Sequence, residues 1–224
     1  MLFLYLGVPA INGYILSDCY ARCQENASRN LRLMSVWWHC SGLLIRTLKV
    51  LESTSTSVAR SIRVPSMRRI ETLDGLATYC RYFNEVGARC KAAGIKFGYH
   101  NHSREFEKVE DRVMLDYMLE NTDPDKVFFQ MDVYWTVMGQ ASPVDYFTKY
   151  PGRFRLLHIK DRREVGQSGM VGYDAIFRNA ATAGVENIIV EIEGSSYNDI
   201  VRSVRECADY LLEAPFVTAF FRDK

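Results

Sequence analysis

The sequence predicts an α/β fold in which parallel strands, joined by crossover helices, close into a barrel. Three observations carry that prediction. From Thr72 onward amphipathic helical stretches alternate with short apolar runs, glycine or proline stands at the joints, and imidazoles and acids collect at the strand ends. With 48% hydrophobic and 25% charged residues among 224, the chain has the profile of a globular protein, which excludes disordered and low-complexity classes. The 28 basic and 27 acidic side chains leave a net charge of +1, so no global field draws in nucleic acid or an anionic membrane, and a small-molecule partner is expected. No apolar run approaches the roughly 20 residues that cross a bilayer, and residues 1–10 lack the basic start and full apolar core of a signal peptide. The sequence reads as cytoplasmic, with a lost N-terminal address left open, and as one domain over residues 1–224.

Each downstream element has its own signals. Thr72 can cap a helix whose apolar positions Leu73, Leu76, Ala77, Cys80, Phe83, Val86 and Cys90 follow three-and-four spacing, and Gly94 ends it. Residues 95–99 then read as a strand. Residues 113–120 form a helix stopped by Asn121-Thr122-Asp123-Pro124, and 127–131 a second strand. Ser142 followed by Pro143 at the first helical position starts a short helix through Tyr150, broken by Pro151-Gly152. A third strand covers 154–159, a helix 173–183 ends at Gly184, and a fourth strand covers 187–192. The last helix, 198–212, carries Ile200, Val201, Val204, Cys207, Ala208, Leu211 and Leu212 on one face, with Pro215 past its end. The strands are nearly continuous in apolar character, as strands buried on both faces are.

The N-terminal third obeys different statistics. Residues 26–70 hold eight Lys or Arg, eight Ser and a single acid, Glu52, and 52–61 is a Ser/Thr run without a period. Two readings fit: a basic, irregular segment, or text shifted out of frame relative to its relatives. Residues 1–71 are therefore expected to be a degenerate part of the barrel, with 2–6, 31–36 and 61–64 as weak strand candidates, and 26–70 is expected to supply no sound barrel strand. The cysteines at 19, 23, 40, 80, 90 and 207 show neither a C-x-x-C pair nor a zinc-like spacing, so they read as free thiols. Cys80, Cys90 and Cys207 fall on the apolar faces of helices and are expected in the core.

Three of the four histidines stand at strand ends: His100, His102 and His158. The other two strands end in acids, Asp132 in one and Glu191 with Glu193 in the other. In a parallel barrel the C-terminal strand ends converge on one mouth. Alternation places Glu191 with Glu193, His100 with His102, and His158 with Lys160 on common sides. A ring of imidazoles and carboxylates around one point suits a divalent metal, because burying several acids together without a cation is costly.

In this order and spacing, Tyr99-His100-Asn101-His102 with Glu105-Phe106, Met131-Asp132-Val133-Tyr134-Trp135, Tyr150-Pro151-Gly152-Arg153-Phe154, Leu157-His158-Ile159-Lys160-Asp161 and Val190-Glu191-Ile192-Glu193-Gly194 resemble the sugar phosphate isomerase/epimerase family with the xylose-isomerase-like barrel. The likeness covers about residues 72–217. It implies a TIM (β/α)8 barrel, incomplete or irregular here in its N-terminal third, with a divalent metal (Mn, Co, Mg or Zn) at its mouth. It also implies isomerisation, epimerisation or elimination on sugars. Asp132 and His158 match ligand positions, Glu191 or Glu193 offers another, and His100, His102 or Glu105 stands where many relatives present a glutamate. The expected chemistry is proton removal beside a carbonyl with a metal-stabilised enediolate, Glu191 or Glu193 acting as base and Glu105 or His102 as its partner. Lys160 would neutralise oxyanion charge, and His100, Asn101, Tyr134, Trp135 and Arg153 would contact the sugar. A lyase of the inosose dehydratase kind, and a catalytically inactive sugar- or metal-binding paralogue, are the alternatives. An oligomer is compatible with all of these readings.

Overall fold

The computed structural model describes residues 2–6, 35–37, 61–64 and 66–222. Their strands are β1 (Leu2–Leu6), β2 (Ser35–Trp37), β3 (Ser61–Val64), β4 (Lys96–His100), β5 (Lys108–Val109), β6 (Arg112–Val113), β7 (Val127–Asp132), β8 (Leu156–Ile159) and β9 (Asn187–Ile192). Seven of them make one sheet in the order β1-β9-β8-β7-β4-β3-β2, while β5 and β6 form a separate small hairpin. From β2 to β9 every neighbouring pair in the sheet is parallel, and β1 lies antiparallel against β9. The two outer strands do not pair with each other among the described residues, so the sheet curls into an open, incompletely closed half-barrel.

The helices are α1 (Leu73–Ala92), α2 (Met114–Asn121), α3 (Val133–Met138), α4 (Pro143–Lys149), α5 (Tyr173–Arg178), α6 (Ala180–Ala183), α7 (Ile200–Glu213) and α8 (Pro215–Arg222). The caps read from sequence at Thr72 and Ser142 are made: each hydroxyl accepts from the backbone amide three residues on, Gly75 and Asp145 respectively, at 3.2 Å. Helix α1 buries Leu76, Cys80, Phe83, Val86 and Cys90 against the convex face of the sheet. Phe83 meets Phe97 and Tyr99 of β4, Tyr99 meets Phe129 of β7, and Phe129 meets Phe154, with ring centroids 5.7–6.3 Å apart. This aromatic row fixes which side of each strand faces the helices. Alternation then sends Gly98, His100, Phe128, Gln130, Asp132, His158, Glu191 and Glu193 to the concave side. Gly98 is needed there, because a Cβ would come within 2.7 Å of the Phe128 ring and its carbonyl oxygen.

Several expectations change. Residues 61–64 and 35–37 are parallel strands, β3 pairing with β4 over four residues and β2 with β3 over three, so the segment 26–70 does contribute to the sheet. What was expected of residues 26–34, 38–60 and 65 lies outside the described residues, as do Cys19, Cys23 and Cys40. Residues 2–6 do form a strand, but of antiparallel sense. The helix expected over 173–183 is split at Asn179, whose side-chain amide donates to the Ala175 carbonyl at 2.8 Å and competes with the helical ladder. Pro215 does stand just past the end of α7, and it also opens a further helix, α8, whose Phe216 and Phe220 pack against Phe177. Cys80, Cys90 and Cys207 are buried free thiols, and burial pushes each up to about 11. Among the described residues no helix is long and apolar enough to cross a membrane.

Candidate metal centre

The site is built where β4, β7, β8 and β9 end. His100 closes β4, Asp132 closes β7, and His158 is the penultimate residue of β8. Parallel pairing sets Asp132 directly opposite His158 and His100 opposite Gln130. One ligand atom from each of His100, Asp132 and His158 lies within 4.8 Å of the others, and all three residues are buried. Asp132 Oδ2 stands 3.0 Å from His158 Nδ1 and 3.9 Å from His100 Nε2. Burial, followed by the charges of His158, His102, Arg63 and Lys160, holds His100 well below the usual imidazole value. A neutral imidazole is suited to ligating a metal rather than to forming half of an ion pair.

Asp132 is held in place by its own strand-to-helix junction. It caps α3, Oδ1 accepting from the Trp135 amide at 2.8 Å, and its backbone amide donates to Asn101 Oδ1 at 3.2 Å. Asn101 Nδ2 donates in turn to Thr136 Oγ1, which donates to the Asp132 carbonyl. Oδ2 is buried and, apart from the His158 Nδ1 contact at 3.0 Å, meets no hydrogen-bond partner among the described residues. A carboxylate oxygen kept that way is costly without a cation, and this carboxylate with the two imidazoles beside it is a donor set for one. The residues therefore fit a divalent metal ion.

The surrounding acids divide their work. Glu191 Oε2 lies 3.6 Å from His158 Nε2 on the side away from Asp132. Burial raises the Glu191 carboxyl above its ordinary range against the opposing pull of His158 and Lys160. Glu193, half exposed, pairs with the buried Lys160 at 2.7 Å. Lys160 Nζ also lies over the rings of Tyr134 and Trp135, 5.4 and 5.9 Å from their centroids. Tyr134, Trp135, Lys160 and Glu193 thus form one wall beside the cluster.

His102 does not join the triad. It follows β4 at the turn into a short 3-10 helix, Ser103–Phe106, and its ring meets that of His100 edge-on and that of Trp135 at a tilt, with centroids 4.8 and 6.0 Å away. Burial lowers its pKa, opposed by Glu105 and Asp132. Glu105 is fully buried and both oxygens are engaged, Oε1 by the Tyr99 hydroxyl and Oε2 by the His102 amide, each at 2.7 Å. Asn101, expected to touch sugar, spends its amide on Asp132 and Thr136. The expected sugar contact from Arg153 is corrected by position. This residue precedes β8, and its guanidinium donates to the carbonyls of Leu119 and Val127 and to Thr122, at the end of the sheet opposite the triad. Helix α3 escaped the sequence reading because Val133, Tyr134, Trp135, Thr136 and Val137 are β-branched or aromatic; the signal for it is the aspartate three residues before Trp135.

Residues 47–214 match the family model described as xylose isomerase-like TIM barrel. A solved sugar phosphate isomerase/epimerase from Parabacteroides distasonis superposes with a TM-score of 0.77 at 35% identity, covering 94% of this chain and 80% of that one. A second structure of the same description and organism gives 0.71 at 38% identity, covering 80% and 69%. An inosose dehydratase from Lacticaseibacillus casei is 30% identical over 79 residues, which is 35% of this chain and 26% of the dehydratase. The match thus spans about a quarter of the length of that curated relative.

Proposed function

Because the chain belongs to the sugar phosphate isomerase/epimerase family, with its xylose-isomerase-like TIM barrel, we propose that it is a divalent-metal-dependent isomerase or epimerase acting on a sugar or sugar derivative. The observation that carries this reading is the buried His100–Asp132–His158 cluster with a carboxylate, Glu191, 3.6 Å from its far imidazole. Held by these three side chains, a manganese, cobalt, zinc or magnesium ion would polarise a substrate carbonyl and favour negative charge on its oxygen.

The remaining chemistry belongs to the chain. Glu191 accepts the proton from the carbon beside the carbonyl and returns it to the neighbouring carbon in an isomerisation; in an epimerisation the new proton comes to the opposite face from a second donor, solvent included. Its raised pKa brings it toward the working pH, where a general base is most effective. Lys160 sets a positive charge beside the site and is held by Glu193, so that it can face a substrate oxygen without wandering. Tyr134 and Trp135 offer ring faces to the C–H side of a sugar and keep water away.

The test is solvent exchange. The full chain with manganese, cobalt or magnesium should exchange a carbon-bound proton of a ketose with deuterium from the solvent, and a chelator should stop it. A lyase reading has its own support in the likeness to inosose dehydratase; it shares the proton-removal step and is separated by a dehydrated product from inosose. Metal uptake with no exchange across ketopentoses, ketohexoses and inosose would favour a binding protein without turnover.

A further inference from the structure

Among the described residues, the concave wall of the half-barrel carries a group, Gln130, that the chemistry above leaves idle. Gln130 lies on β7 one inward position before Asp132, its Cα in register with His100 on one side and Leu156 on the other. It is 0% exposed. Neither its carboxamide oxygen nor its nitrogen meets a hydrogen-bond partner among the described residues. The inward positions of a parallel barrel are ordinarily filled by branched aliphatic side chains, and methionine or leucine would occupy nearly the same volume without a polar atom. An unpartnered amide there is a standing cost to the fold.

Such a cost is removed when a polar group arrives from the neighbouring site. A carboxamide offers one acceptor and a pair of donors and carries no charge. Its complement is a hydroxyl, which both donates and accepts; a phosphate or carboxylate would leave the amide oxygen facing lone pairs. Hydroxyls are what a sugar presents along the chain next to its carbonyl. We propose that Gln130 is a specificity-determining residue that hydrogen-bonds a hydroxyl of the sugar bound against the triad. The inference rests on the isomerase/epimerase reading of the same site.

The test is Gln130→Met in the full chain loaded with manganese, titrated calorimetrically with a panel of ketopentoses, ketohexoses and inosose. Manganese affinity should stay within about threefold of wild type and the unfolding midpoint should be equal or higher, because an unpartnered polar group has been replaced by an apolar one of similar size. Affinity for the sugar that wild type binds should fall about tenfold or more. Unchanged sugar affinity would overturn the proposal and leave buried water as the only companion of the amide. A lowered midpoint would also overturn it, by making Gln130 a structural residue. Wild type that takes manganese but none of the sugars would remove the isomerase/epimerase reading, and this inference with it.

Discussion

Replacing Glu105 tests whether this buried acid is part of the fold or part of the chemistry. Its two oxygens accept from the Tyr99 hydroxyl and the His102 amide at 2.7 Å each, and Arg104 approaches at 3.5 Å from a partly exposed position. Hydrogen bonds to a charged partner contribute roughly 1.5–3 kcal/mol each, and a surface-facing ion pair adds little. Glu105→Ala removes both bonds but also the cost of burying the carboxylate, so the net loss should sit near the lower end, about 3 kcal/mol. For a chain of this length that corresponds to a fall of about 6–12 °C in unfolding midpoint. Glu105→Gln keeps one acceptor and should lose about half as much. Thermal unfolding followed by circular dichroism in the presence of a chelator isolates this effect, and a parallel manganese titration reads the site. A Glu105→Ala protein with a wild-type midpoint and no manganese affinity would refute the reasoning and place Glu105 among the ligands.

Two further outcomes follow from the same geometry. Asp132→Asn keeps the cap on α3 but removes the charge at Oδ2; manganese at about 100 times the wild-type dissociation constant should stabilise wild type by about 2.7 kcal/mol, or about 5–11 °C, and the variant hardly at all. Equal metal-induced shifts in the two proteins would show that Asp132 is not a ligand. Burial pushes the Glu164 carboxyl up, but hydrogen bonds from the Ser196 and Ser203 hydroxyls and the Ser196 amide hold it down at about 2. A depressed carboxyl stabilises the fold above its unfolded value, and the gain is lost as pH falls through the folded one. The stability gap between wild type and Glu164→Gln, read from urea unfolding, should be full above about pH 4.5 and shrink toward pH 2; a gap independent of pH would show that the hydrogen bonds do not favour the ionised form.

Most of the downstream sheet was legible because each strand is buried on both faces and bounded by a proline, a glycine or a cap. The strand-end pattern also located Asp132 and His158, since period-two alternation is a local property that tertiary packing does not alter. Choosing between His100 and His102 needed the point at which β4 ends. Both face one side, but the chain turns after His100, and His102 is carried onto Trp135. Arg153 lies away from the site because a residue that precedes its strand stands at the far end from the mouth. The antiparallel sense of β1 depends on which edge it meets, and no periodicity encodes that.

The junction at Asp132 has a consequence for what evolution can write at this position. One carboxylate closes a strand, seats the first turn of a helix through Oδ1 and leaves Oδ2 turned toward two imidazoles. Asparagine would seat the helix but bring no charge, and glutamate would bring the charge one methylene too far out to seat the helix in the same way. Serine or threonine would do only the seating. The genetic alphabet then holds a single letter that satisfies both demands, and a lineage that lost it would have to rebuild the turn and the charged cluster in the same step.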